Sequence, residues 1–98
     1  MEYRQLGATG TRVSELCFGT WRFGRKTGGV LETDEDDAHE LLDAFADHGG
    51  NYIDCANIYG DPNGTSESYI GSWLEDRDRE KYVITSKVYF EYDSDNPN

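Results

Sequence analysis

At 98 residues the chain makes one domain at most, and a chain this short buries a smaller share of its surface than a larger domain. Twenty acidic residues against nine basic ones leave a formal charge of -11, which excludes nucleic acids and anionic membrane surfaces as natural partners. No charged-then-apolar leader follows Met1 and no apolar run approaches about 18 residues, so the expected compartment is the cytoplasm.

The first segments, "MEYRQL" and "RVSEL", alternate in character around "GATGT" and predict an N-terminal β-hairpin with glycines in its turn. From about Leu16, "CFGTWRFGRKTGG" continues as a strand and then becomes a glycine-rich loop. Within it, "GTWRFGRKT" misses the phosphate-binding pattern GxxxxGKS/T, because Arg25 precedes the lysine and no helix follows directly.

Between Thr33 and His48, the apolar residues Ala38, Leu41, Leu42, Phe45 and Ala46 recur at helical spacing and predict one buried helix face. Thr33 or Asp34 can cap its start, acids crowd its first turn, and Gly49-Gly50 end it. "NYID" then reads as a short strand, "CANIYGDPNGT" as a loop, and Ser66 to Glu75 as a second helix burying Ile70, Trp73 and Leu74. "YVITSKVY" is a third strand, apolar enough to be covered on both faces. Residues 91–98 have nothing to bury and are expected to be loose. The order is a hairpin followed by β, α, β, α, β, which implies an α/β fold with a parallel sheet.

No GxGxxG follows a strand, so a Rossmann site is not supported. Cys17 and Cys55 form neither CxxC nor a metal spacing and read as reduced thiols. His39 lies off the apolar face and His48 at a helix end, so both read as surface residues, and no metal site is expected.

Three ionisable residues stand out at strand ends. Asp54 closes the second strand, Lys87 lies near the end of the third, and Tyr59 sits in the loop after Asp54. In parallel sheets, functional groups gather at the C-terminal edge, where loops vary without disturbing the core. Lys87 lies among Ile84, Val88 and Tyr89, where burial would oblige it to find a partner, and Asp54 is the natural one. The pair reads either as a structural contact that fixes register or as part of a working site. An ammonium beside a phenol favours the phenolate, so Tyr59 near Lys87 would be a usable proton donor.

"YRQLGATGTRVSELCFGTWRFG", "NYIDCANIYG", "SESYIGSWL" and "VITSKV" together resemble the N-terminal third of the aldo-keto reductases, in the branch that includes the potassium-channel β subunits. The resemblance covers nearly all of residues 2 to 88. It implies the first part of a (β/α)8 barrel, closed at its bottom by the hairpin, in an enzyme that reduces aldehydes and ketones with NADPH in preference to NADH. By resemblance Asp54, Tyr59 and Lys87 match three of the family's four catalytic residues, and Gly19, Thr20 and Trp21 match the loop against the nicotinamide and ribose, which Asp54 would also reach.

The sequence departs from the family pattern DTADxYG at Cys55 and Asn57. A barrel needs about 250 residues, so the resemblance covers the hairpin, three strands and two helices. The family's catalytic histidine, on a fourth strand, and its phosphate-gripping loops fall outside the match. His39 and His48 precede the motif and cannot replace that histidine. The chain is therefore expected to be a fragment of a reductase, inactive alone, that self-associates or is completed by the rest of a barrel. The alternative is a small acidic βαβ binding module in which Asp54 and Lys87 are only structural. The acidity fits a halophilic, high-salt cytoplasm, because like charges repel at low salt.

Overall fold

The hairpin forms as the alternation predicts. Strand β1 (Tyr3–Gln5) pairs antiparallel with β2 (Arg12–Ser14), setting Tyr3 against Ser14 and Gln5 against Arg12. The computed structural model describes residues 1–88, so the segment 91–98 lies outside the described residues.

Beyond the hairpin the expected strand from Leu16 shrinks to β3 (Phe18–Gly19). The glycine-rich loop contains a small antiparallel ribbon that the sequence reading did not anticipate, β4 (Lys26–Thr27) with β5 (Val30–Leu31). Helix α1 (Glu35–Asp47) starts at Asp34, whose carboxylate accepts from Asp37 N–H at 2.9 Å, and three acids follow in its first turn. It ends at His48, and Gly49 turns the chain at φ 90°, a conformation that glycine adopts without strain.

Strand β6 (Tyr52–Asp54), helix α2 (Thr65–Leu74), a 3₁₀ turn (Arg79–Lys81) and β7 (Val83–Thr85) complete the order. The central sheet runs β3-β6-β7, all parallel. Its register places Phe18, Ile53 and Ile84 abreast, and next to them Gly19, Asp54 and Thr85. Alternation along a strand sends these two rows to opposite faces. Ile53 is fully buried in the core with Phe23, Ala38, Leu42, Cys55, Ile70 and Trp73, so both helices cover that face. Tyr52 and Asp54 on the other face stay half-buried.

Three expectations need correction. Leu41 was placed on the buried face of α1 but is 47% exposed. It lies at the margin of the stripe and lines, with Met1, Leu16 and Phe45, an apolar groove open to solvent. Among the described residues the third strand is three residues long and only half-buried, because it pairs with β6 alone there; Tyr89, the last residue of the expected strand, lies outside the described residues. His39 is not a free surface residue. It is half-buried, and its Nε2 lies 3.0 Å from both Tyr69 O and Ser72 Oγ, tying α1 to α2. Trp73 strengthens the same contact, donating from Nε1 to Asp43 Oδ1 at 2.9 Å while the Arg77 guanidinium stacks 4.3 Å above its ring.

Asn51 ties the hairpin to the start of β6, and the Tyr3 hydroxyl adds a bond to Gly49 O at 2.6 Å. Asn51 accepts from Ser14 N–H at 2.7 Å, donates through Nδ2 to Arg12 O at 2.9 Å, and its own N–H donates to Ser14 Oγ at 3.2 Å. Replacing Asn51 with Ala leaves Ser14 N–H without its acceptor beside a buried residue. Asn51→Ala should lower the unfolding free energy in urea by about 1–3 kcal/mol, with faster amide exchange in residues 3–14. Unchanged exchange in the hairpin would show that it docks by other means.

Candidate active site

The site is built on the carbonyl end of β6. Thr20, directly after β3, is fully buried and grips Asp54 through two bonds, from its N–H at 3.1 Å and from Oγ1 at 2.9 Å, both to the Asp54 carbonyl. Ser66 in the first turn of α2, also fully buried, donates to Thr20 O at 3.0 Å. A chain of buried hydroxyls thus runs from helix α2 through the loop after β3 to the backbone of Asp54. Buried hydroxyls need partners, and these have them.

The Asp54 side chain is left to meet Lys87. Lys87 Nζ donates to Asp54 Oδ1 at 2.7 Å and to Cys55 O at 2.6 Å, and it stands 5.3 Å from the centre of the Tyr59 ring. The loop holds all three in place. Cys55 N–H donates to Thr85 O and Asn57 N–H to Lys87 O, while Tyr59 O accepts from Ser66 N–H. Ser86, beside the lysine, donates to Glu67 Oε2 at 2.8 Å, a second tether from α2. Asn57 Oδ1 is buried with no hydrogen-bond partner among the described residues.

The sequence placed this pair in a buried setting, and the structure does not. The side chains of Lys87 and Asp54 are 45% and 40% exposed, because they project from the face of the sheet opposite the helices. Partial desolvation pulls the ammonium down, yet the hydrogen bond and charge of Asp54, with Tyr59 adding to them, outweigh it. The net result is a Lys87 pKa above the ordinary lysine value. Cys17 is exposed and unbridged, and burial together with the Asp54 charge pushes its thiol up, against the pull of Lys87.

Around the pair, Gly19 lies opposite Asp54 in the register, and no atom stands within 4 Å of where its side chain would begin. Trp21, two residues on, is 50% exposed. Asp54, Tyr59, Lys87 and Gly19 therefore share one edge, Thr20 works inward on Asp54, and Trp21 stands at the rim. Among the described residues no cluster of His, Cys, Asp or Glu is arranged to hold a metal, and no helix is long and apolar enough to cross a membrane.

Sequence reasoning missed Ser66, Glu67 and the Cys55 carbonyl. Ser66 and Glu67 stand in the quoted "SESYIGSWL" but read only as the start of a helix, and a backbone carbonyl carries no residue signal at all.

Comparison with known proteins identifies the family and the fold. The model of the Aldo/keto reductase family matches residues 15–98. The chain is 45% identical over 93 residues to the uncharacterized oxidoreductase YrpG of Bacillus subtilis, covering 91% of this chain and 27% of that protein. It is 39% identical over 94 residues to the NADP(+) aryl-alcohol dehydrogenase of Phanerodontia chrysosporium, covering 92% of this chain and 24% of that one. The holo structure of the aldo-keto reductase AKR11C1 from Bacillus halodurans superposes with a TM-score of 0.76 at 31% identity, over 98% of this chain and 28% of that structure. The chain spans about a quarter of the length of the curated relatives it matches.

The raised Lys87 value gives a signed expectation. A lysine whose folded pKa lies above its unfolded one contributes stability that is fully present below the unfolded value and is lost as pH rises through the folded one. The stability of this chain should therefore fall in the alkaline range, above about 10.4. In Asp54→Asn that fall should shrink, because desolvation is then no longer outweighed, and the Lys87 resonance followed by NMR should titrate lower. A Lys87 midpoint that Asp54→Asn does not move would show that the ion pair has no hold on the lysine.

Proposed function

The chain belongs to the aldo/keto reductase family, and on that basis we propose that it forms the opening part of a (β/α)8 carbonyl reductase in which Tyr59 is the proton donor. One observation carries the reading: the Lys87 ammonium is bonded to Asp54 and stands beside the Tyr59 ring at the carbonyl end of the parallel sheet. A cation at that distance stabilises the phenolate that proton transfer leaves behind. Tyr59 would thus give its proton to the carbonyl oxygen of an aldehyde or ketone. Asp54 and the Cys55 carbonyl hold the ammonium in position, and Thr20 and Ser66 hold Asp54.

The residues present suit a nicotinamide cofactor. Gly19 offers bare backbone beside Asp54 with open space in front of it, and Trp21 stands next to it at the rim, so a flat ring can lie against this strand end. When bound, NADPH supplies the hydride that adds to the carbonyl carbon; with the Tyr59 proton the product is the alcohol. The NADP(+) dependence in the name of the fungal relative supports NADPH over NADH, and the family supports a small carbonyl substrate. Turnover requires the further length that the relatives possess, so residues 1–98 alone are inactive. The -11 charge suits a high-salt cytoplasm.

In a polypeptide of the relatives' length carrying these residues, Tyr59→Phe should cut carbonyl-dependent NADPH oxidation by at least about 100-fold, the lower range for a lost proton donor. Lys87→Met should cost a comparable factor, and the 98-residue chain alone should show no turnover. A Tyr59→Phe enzyme with undiminished turnover would end the proposal. For the high-salt reading, the unfolding midpoint should climb between about 0.1 M and about 1 M KCl as screening shortens the reach of the acidic charges. A flat response would leave the acidity unexplained by salt.

A further inference from the structure

Two neighbouring residues in the first turn of α2 reach two neighbouring strand ends. Ser66 donates to Thr20 O, and Thr20 holds the Asp54 carbonyl, so the first connection ends on β6. Glu67 Oε2 accepts from Ser86 Oγ at 2.8 Å, so the second ends beside Lys87. The pairing of β6 with β7 runs only to Asp54 and Thr85, which leaves residues 86 and 87 beyond it. Asn57 N–H, donating to Lys87 O at 3.1 Å, and the bonds of the ammonium to Asp54 and Cys55 hold them from the loop after β6. The bond from Ser86 acts from the other side, that of the helix.

Glu67 is also the acid in the first turn of α2, whose N-cap, Gly64, offers no side-chain acceptor. A carboxylate there complements the helix dipole wherever its side chain points. The hydrogen bond to Ser86 is what gives it a direction. Both residues are exposed, so neither fills the core, yet a hydroxyl donating to an ionised carboxylate makes a stronger bond than one donating to a neutral oxygen. Lys87 Nζ lies 2.7 Å from Asp54 Oδ1 and 5.3 Å from the centre of the Tyr59 ring. It reaches that point on a flexible four-carbon stem, so fixing the backbone beneath it narrows where the ammonium can go.

We propose that Glu67, acting through Ser86, is a positioning residue for Lys87, and that with Ser66 it makes the first turn of α2 a clamp that sets the reach of the ammonium to Asp54 and Tyr59. Its bearing on proton transfer rests on the carbonyl-reductase reading above.

The test follows the alkaline midpoint of the Lys87 resonance by NMR in the 98-residue chain. Ser86→Ala and Glu67→Ala should each lower it by at least about 0.3 in pH, roughly a twofold loss of proton affinity. The ammonium then loses part of its hold on Asp54 while its desolvation remains. Asp54, Tyr59 and Cys17, the titratable groups around it among the described residues, stay in place. The double variant should go no lower than either single one, since both remove the same bond. Glu67→Gln, which keeps an acceptor oxygen without the charge, should retain most of the original midpoint. A Glu67 that serves only the dipole of α2 gives the opposite pattern: amide exchange quickens along residues 65–74 in Glu67→Gln, and Ser86→Ala leaves the midpoint unmoved. That pattern overturns the proposal. So does an equal fall in Glu67→Gln and Glu67→Ala, which marks an effect of charge through space, or an additive fall in the double variant, which puts the two residues on separate paths. The readout needs no turnover, so its failure leaves Tyr59 as proton donor untouched, and failure of that role leaves these midpoints as they are.

Discussion

The parallel register of three short strands is the constraint on which the site depends. Pairing Gly19 with Asp54 and Asp54 with Thr85 brings to one edge residues that lie far apart in the chain. Because side chains alternate, the same register turns Ile53 and its neighbours toward the helices and leaves Asp54 and Thr85 on the opposite face. A slip of one residue would exchange the two rows, sending Asp54 into the apolar core. The burial of Ile53, Leu42 and Ile70 is therefore what fixes where the carboxylate points.

On that frame, a small set of polar groups does the fine positioning. Ser66 and Thr20 reach the backbone of Asp54 from helix α2 and from the loop after β3, and Glu67 reaches Ser86 next to Lys87. The helix thus controls both members of the ion pair without touching either charged group. Asp54 in turn outweighs the desolvation of Lys87 and keeps it a firm cation beside Tyr59. An exposed pair of this kind contributes modestly to stability; its weight lies in placing charge.

The molecule also presents apolar surface outside its core. Leu16, Leu41 and Met1 are 66%, 47% and 44% exposed and line the groove along α1, with Phe18 of β3. The same side of the chain carries no strand partner for β3 among the described residues. Relatives about four times as long share the fold of this segment, and a sheet that closes on itself has no free edge.

Much of the fold was legible in the sequence. The 3.6-residue spacing over Ala38, Leu42 and Phe45 gave α1 to within two residues at its start and one at its end, and the capping acid Asp34 was visible beside it. "NYID" gave β6, and the hairpin followed from alternation around glycines. Asp54, Tyr59 and Lys87 could be picked out because charged and phenolic groups at strand ends are conspicuous against apolar runs. The length of β7, the ribbon at β4 and β5, the exposure of Leu41 and Lys87 and the bridging role of His39 were not legible. Each depends on whether something distant covers the residue, and a strand pairs only as far as its neighbour does. Residue order by itself determined which segments form helices and strands and which carry the chemistry, since periodicity and caps are local. Only the tertiary structure decided that Lys87 bonds Asp54 and Cys55 in the open, and that Ser66 works through Thr20, because hydrogen bonds between distant residues depend on register and packing rather than on sequence spacing.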